Sequence, residues 1–223
     1  MLLTHHHRFR RAARRPQGLA LAAIGTGLAA SLLLAAPAHA VASDVKDTTT
    51  ATQRAGAGHW SAAQHVRALA RLAAERVLTA DQVAASKWIS GAPIEDPERE
   101  QQVLDAMDAE AQRLGIDRAT VQRVFRDQME ANKYVQHQLH DRWRENPAEA
   151  PTTAPDLTEI REEINRINIA LLSAIQGAQP LLSKPQCSGV REMAYRTAVH
   201  ELRLDALHQQ GLRRALAGLC ANS

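Results

Sequence analysis

Two cations stand where a helix seam should carry aliphatic side chains. From Val66, steps of three and four residues pass through Leu69, Ala73, Arg76, Ala80, Val83 and Lys87, the spacing with which a helix faces a partner helix. No acid lies on this stripe, and a buried ammonium or guanidinium is costly unless paired. Either the helix breaks and both side chains reach solvent, or an anion enters the bundle to meet them. Arg76 and Lys87 are 11 residues apart, close to three full turns, so they stand nearly in register. Further polar side chains fall on or beside apolar stripes: Arg99 and Glu100 just after Asp96, Asn132 and Gln136 four residues apart, and Arg161 early in a later amphipathic segment. Singly, each is more often a solvated face or a surface ion pair. Converging, such cations with hydrogen-bonding amides suit a small, doubly anionic ligand.

Other chemistries have less support. No G-x-S-x-G motif occurs, and no glycine-rich loop follows a strand pattern, which removes the usual signatures of a nucleophile elbow and a phosphate cradle. His137 and His140 are three apart, but no third ligand follows at a convincing spacing, so no metal site is expected. These two, like His200 and His208, read as surface or capping histidines.

The elements that must hold these side chains are helices. Aromatic residues make up 3% of the chain, and Ala and Leu are abundant, which favours helix over strand. Trp60-Ser61 followed by Gln64 looks like a capping box that starts the first helix, which ends at Gly91-Ala92-Pro93, with a bend allowed near Thr79-Ala80-Asp81. Asp96-Pro97 opens the second helix, which stops at Gly115. Asp117 caps the third and longest, reaching about Arg144, with Val121, Val124, Phe125, Gln128, Asn132, Val135, Leu139 and Trp143 facing inward. A Pro-rich connector, 146–155, leads to Asp156, the cap of a fourth helix that fades between Gly177 and Pro180. A single straight helix joining Cys187 to Cys220 would be about 50 Å long, whereas a disulfide needs the two Cα atoms within about 7 Å. A bridge therefore requires a fold-back, here a hairpin of roughly 190–202 and 205–219 with its break at Asp205.

The chain's ends set its compartment. Five arginines precede an apolar run, Leu19 to Ala35, and Ala38-His39-Ala40 follows Pro37. Residues 1–40 thus read as a cleaved signal peptide, the alternative being an uncleaved membrane anchor. Residues 41–59 read as a flexible leader, and 60–223 as one helical domain. Removing the first 40 residues leaves 22 basic and 24 acidic residues, a net charge of −2 against +3 for the whole chain. A nucleic-acid partner loses its main support, and no membrane contact is expected after cleavage. In an oxidising compartment Cys187 and Cys220 most simply form one disulfide, with two buried thiols as the alternative. The expected fold is an all-α, single-domain bundle of about six helices with one disulfide.

Arg76, Lys87, the run Ile94-Glu95-Asp96-Pro97-Glu98-Arg99-Glu100, Ile116-Asp117 leading to Arg123-Val124-Phe125, then Asn132 and Gln136, resemble the AroQ-class chorismate mutases. The signal peptide, the cysteine pair, and Asp141-Arg142-Trp143 with Asn146-Pro147 and Asp156-Leu157 resemble their secreted, gamma-class branch. The likeness spans roughly 65–220 and lies in ordered spacing rather than in one motif. It implies the rearrangement of chorismate to prephenate without cofactor or covalent intermediate, in a periplasmic or secreted homodimer. It also implies roles. Arg76 and Arg161 of the same chain would bind the two carboxylates. Lys87 and Gln136 would donate to the ether oxygen. Arg99 would assist a carboxylate, and Glu100, with the backbone near Asp96, would hold the ring hydroxyl. Two positions depart from the pattern: Asn132, where Ser or Thr is commoner, and Gln136, where many secreted members carry Glu. Rival expectations are an isochorismate–pyruvate lyase and a non-enzymatic exported protein that binds an anionic metabolite.

Overall fold

The computed structural model describes residues 45–220, with side chains from residue 61 onward. Six α-helices and no strand occur among them: α1 (Val45–Ser90), α2 (Pro97–Leu114), α3 (Arg118–Glu145), α4 (Leu157–Leu182), α5 (Cys187–Glu201) and α6 (Ala206–Ala215), with a 3-10 turn at Pro147–Glu149. The proposed signal peptide, residues 1–40, lies outside the described residues.

Four aspartates set the register, as their spacing predicts. Asp96, Asp117, Asp156 and Asp205 each accept a hydrogen bond from a backbone N–H of the following turn: Arg99, Thr120, Thr158 and His208, at 2.7–3.1 Å. Each thereby satisfies one of the donors a helix start leaves open. Gly115 takes a left-handed φ of 66° and closes α2 by donating to the carbonyls of Ala111 and Gln112, a conformation that favours glycine.

Two boundaries differ from the sequence expectation. Helix α1 starts at Val45, ahead of Trp60, so 45–59 is helical rather than an aperiodic leader. That stretch contains no proline, and a helix already nucleated by packing extends until something stops it. Helix α4 continues through Gly177 and Pro180 to Leu182. Pro180 removes one backbone donor, while burial of Ala178, Leu181 and Leu182 keeps the last turn in place. Gly177 allows α1 to approach: a Cβ there would come within 2.3 Å of the His65 ring.

Helix α1 is the central element, packing on α3, α4, α5 and α6. Its Val66, Leu69, Ala70, Ala73, Ala74, Val77, Ala80 and Ala84 are all buried. Small side chains let neighbouring backbones approach, and together these contacts supply the apolar burial that drives folding. The helix runs unbroken through Thr79-Ala80-Asp81. It carries Arg76 and Lys87 on one continuous rod.

The C-terminal hairpin is closed twice. Cys187, the first residue of α5, is bonded to Cys220, with the Cα atoms 5.9 Å apart. A link of this length stabilises the fold by roughly 3–4 kcal/mol in the chain-entropy description. On α3, Arg123 Nε donates to the Gly218 carbonyl and Asp127 Oδ2 accepts from the Gly218 amide, both at 2.6 Å. This segment is thereby tied to the helix that carries Asn132 and Gln136.

His208 joins α6 to α1. Its Nε2 lies 2.9 Å from Asp81 Oδ1 and its Nδ1 2.7 Å from Asp205 Oδ1, with the ring buried. His140 is buried too: Nε2 meets the Ala84 carbonyl at 2.9 Å, and the ring packs against Trp88 and Trp143 at centroid distances of 5.3 and 5.5 Å. Both are buried, where the sequence expectation is surface or capping histidines. Each ring lies between helices; carboxylates meet both nitrogens of His208 and a backbone carbonyl meets Nε2 of His140, which offsets the cost of burial. The hydrogen bond to Asp81 raises the His208 pKa, burial opposes this, and Asp205 adds to the rise. A raised pKa gives stability that is complete below the unfolded value, near 6.5, and lost as pH climbs through the folded one. His208→Ala should therefore cost more at pH 5.5 than at pH 9, by about 1–2 kcal/mol or roughly 3–6 °C in melting temperature. Equal losses at both pH values would show that folding leaves the His208 pKa unshifted.

Candidate active site

A cavity of about 290 Å³ opens between α1, α2, α3 and α4. The structure brings all eight sequence-predicted site residues to its wall. Arg76 and Lys87 come from α1, Asp96 from the α1–α2 loop, and Arg99 and Glu100 from α2. Asn132 and Gln136 come from α3, and Arg161 from α4 of the same chain. Val83, Ile94, Val103, Met129, Ile160 and Ile164 supply apolar wall between them.

Arg76 is buried, only 6% exposed. Its Nε donates to Asn168 Oδ1 at 3.1 Å and its Nη1 to the Gln128 carbonyl at 2.8 Å. Among the described residues no carboxylate lies within ion-pair distance of it. Burial brings its pKa down to about 10, so it stays charged at neutral pH. This is a buried charge held by dipoles alone. Lys87 is half-buried, and its Nζ donates to the Ile94 carbonyl at 2.7 Å. Burial pulls its pKa down; Asp96, Glu95 and Glu100 oppose the shift, while Lys133 adds to it.

The amides on α3 form a chain. Asn132 Nδ2 donates to the Arg76 carbonyl at 3.0 Å, and Asn132 Oδ1 accepts from Gln136 Nε2 at 2.7 Å. Gln136 is 3% exposed, and its Oε1 has no partner among the described residues. A primary amide carries two N–H groups, so Gln136 Nε2 keeps one hydrogen beyond the one given to Asn132. Arg99 and Arg161 are exposed at the mouth. Glu100 faces Lys133, with Nζ 3.1 Å from Oε2, and Lys133 also reaches Glu130 at 2.7 Å.

Three contributors were not picked out from sequence. Lys133 sits one residue past Asn132 on α3, off the apolar stripe, where a lysine normally signals solvent. Asn165 lines the mouth from α4. Asn168, 2% exposed, is a buried amide on α4 seven residues past Arg161. The signal that exposes Asn132 and Gln136, a polar side chain on an apolar face, applies to it as well.

The wall contains no Cys or His, and its single hydroxyl, Ser90, donates to the Lys87 carbonyl. Among the described residues no three His, Cys, Asp or Glu side chains converge as a metal site. What the cavity offers is positive charge at two depths, amide donors between, and two carboxylates, Asp96 and Glu100. It can bind a dianion and stabilise charge that moves within it.

Likeness to known proteins follows the same outline. The family profile described as "Chorismate mutase type II" matches residues 67–137. The "Secreted chorismate mutase" of Mycolicibacterium smegmatis is 38% identical over 148 residues, 66% of this chain and 82% of that protein. The "Secreted chorismate mutase" of Mycobacterium tuberculosis is 39% identical over 148 residues, 66% of this chain and 74% of that protein. The crystal structure of chorismate mutase from Burkholderia phymatum is similar with a TM-score of 0.67 at 34% identity, over 72% of this chain and 98% of that one. The Burkholderia thailandensis chorismate mutase structure gives 0.66 at 31% identity, over 70% and 99%.

Proposed function

The chain belongs to the type II chorismate mutases, and from that premise we propose that its cationic cavity is the site where chorismate rearranges to prephenate. The protein is an exported isomerase of this family, in keeping with the secreted relatives. No helix among the described residues is long and apolar enough to cross a membrane. Removal of residues 1–40 as a signal peptide, and pairing of two copies as a homodimer, are parts of the proposal that rest on the sequence pattern and the family likeness.

The reaction breaks the ether C–O bond and forms a C–C bond in the same molecule, with no atom gained or lost. Two demands follow. The side chain must fold over the ring, and the ether oxygen must be stabilised as negative charge gathers on it. Arg76 at the base and Arg161 at the mouth bind the two carboxylates, with Arg99 assisting. Holding both ends selects the compact conformer and converts conformational freedom into proximity. Lys87 Nζ and the spare hydrogen of Gln136 Nε2 donate to the ether oxygen. Because charge on that oxygen grows toward the transition state, these donors act more strongly there than on the bound substrate. Glu100, held by Lys133, accepts from the ring hydroxyl beside Asp96. Apolar wall from Val83, Ile160 and Ile164 excludes water and so strengthens each interaction.

One observation carries this reading: a buried guanidinium without a carboxylate partner among the described residues, in a cavity whose wall has no Cys or His and whose one hydroxyl, Ser90, is bonded to a backbone carbonyl. The test is incubation of the protein lacking residues 1–40 with chorismate, following substrate loss by absorbance and products by chromatography. Prephenate should form at many orders of magnitude above the solution rate. Release of pyruvate from isochorismate with no prephenate would make the protein a lyase. Binding of chorismate without turnover would make it a binding protein.

A further inference from the structure

We propose that Asn168 is a positioning residue: it fixes the Arg76 guanidinium through a neutral acceptor, so that the countercharge is left for the substrate carboxylate. The inference rests on the reading of this cavity as the chorismate site and adds a residue to it. Two bonds from different edges orient the guanidinium plane, Nε to Asn168 Oδ1 at 3.1 Å and Nη1 to the Gln128 carbonyl at 2.8 Å. With Nε occupied, the end of the fork formed by Nη1 and Nη2 is the edge left for a planar carboxylate, which it matches in two parallel hydrogen bonds.

The type of acceptor matters as much as its place. Asn and Asp have nearly the same size and shape. Aspartate at 168 would meet the same Nε–H and neutralise the buried charge, which is worth more to the free fold than an amide. The chain instead carries the amide at a site 2% exposed. A group that leaves Arg76 oriented but uncompensated serves ligand binding at the expense of the empty protein, the trade that functional sites show. Helix α4 then handles both substrate carboxylates. Arg161 projects from its first turns, and Asn168, two turns further on the same face, aims the arginine that α1 supplies.

Replacement by aspartate separates positioning from structure because it should move stability and activity in opposite directions. Asn168→Asp is expected to melt at or above the wild-type temperature. Its kcat/KM for chorismate should fall roughly a hundredfold, mostly through KM, and the rise in melting temperature given by saturating prephenate should shrink. Asn168→Ala, with Arg76 still charged but released, should melt lower yet keep more activity than the aspartate variant, with KM raised about tenfold. A merely structural residue would give activity that follows stability. Wild-type KM in both variants, or an aspartate variant whose loss of activity tracks a lower melting temperature, overturns the inference while wild-type turnover leaves the site assignment standing. An unchanged KM in Asn168→Ala overturns it even where the aspartate variant does not fold. Absence of prephenate formation by the wild type overturns the site and this inference together.

Discussion

Lys87→Ala is expected to lose at least about a thousandfold in kcat/KM while keeping its fold. One oxyanion-type hydrogen-bond donor is commonly worth 10²–10³ in rate, and Lys87 supplies a full charge as well as a donor. No neighbour can replace it. Arg76 is held at the base of the cavity by Asn168 and Gln128, and Lys133 is drawn away by Glu100 and Glu130. The ammonium is already directed inward, since its bond to the Ile94 carbonyl at 2.7 Å ties it to the α1–α2 loop rather than to solvent. Burial lowers its pKa, so the wild-type fold carries a desolvation cost that alanine removes. The packing of α1 rests on Val77, Ala80 and Ala84, which the substitution leaves alone. Stability should therefore stay within about 1 kcal/mol of wild type. Kinetics with chorismate, beside thermal melting followed by circular dichroism, checks both halves. Near wild-type turnover would remove Lys87 from the ether oxygen, and a collapsed fold would make it a structural residue.

The same side chains show how much of this protein is legible in its sequence, and why the rest is not. Arg76 and Lys87 are visible because they break a pattern: cations at three-four spacing among Leu, Ala and Val have no local explanation. The Asp caps are visible because capping is chemistry within one turn, and Asp96, Asp117, Asp156 and Asp205 all act as spacing implies. Where local and tertiary terms conflict, the sequence misleads. Pro180 and Gly177 read as the end of a helix, yet Leu181 and Leu182 are buried enough to continue it, and Gly177 answers to His65 on another helix. Asn168 stays hidden for a further reason. Its partner is 92 residues away, and a lone amide beside Ile167 has no spacing that points to an arginine on α1.

Gln136→Glu should convert a pH-independent enzyme into one that fails as pH rises, by about tenfold per unit above the new carboxyl's pKa. The orientation of the native amide is fixed by elimination along the chain of contacts. The Arg76 carbonyl can only accept, so Asn132 must present its NH2 there, at 3.0 Å. Asn132 Oδ1 then faces Gln136 at 2.7 Å, and Gln136 must present its own NH2 in turn. One hydrogen goes to Asn132 and the other remains for the ether oxygen, with no titration involved, so wild-type kcat/KM should stay flat from about pH 6 to 8. A carboxylate at 136 would set acceptor against acceptor at Asn132, so only the protonated form fits. That form has a single proton to divide between Asn132 and the substrate, which should cost about tenfold even under acidic conditions. The two departures from the family pattern, Asn132 for Ser or Thr and Gln136 for Glu, are thus one departure. An amide pair matches donors to acceptors, and so does a hydroxyl with a carboxylic acid, because a hydroxyl rotates to donate or accept. Mixing the two leaves one group mismatched. Asn132→Thr in the Gln136→Glu background should therefore recover part of the lost rate, and the double variant should exceed the product of the two single effects. A Gln136→Glu enzyme with a flat pH profile, or two substitutions that simply multiply, would show that the amide at 136 does not donate to the ether oxygen through this chain.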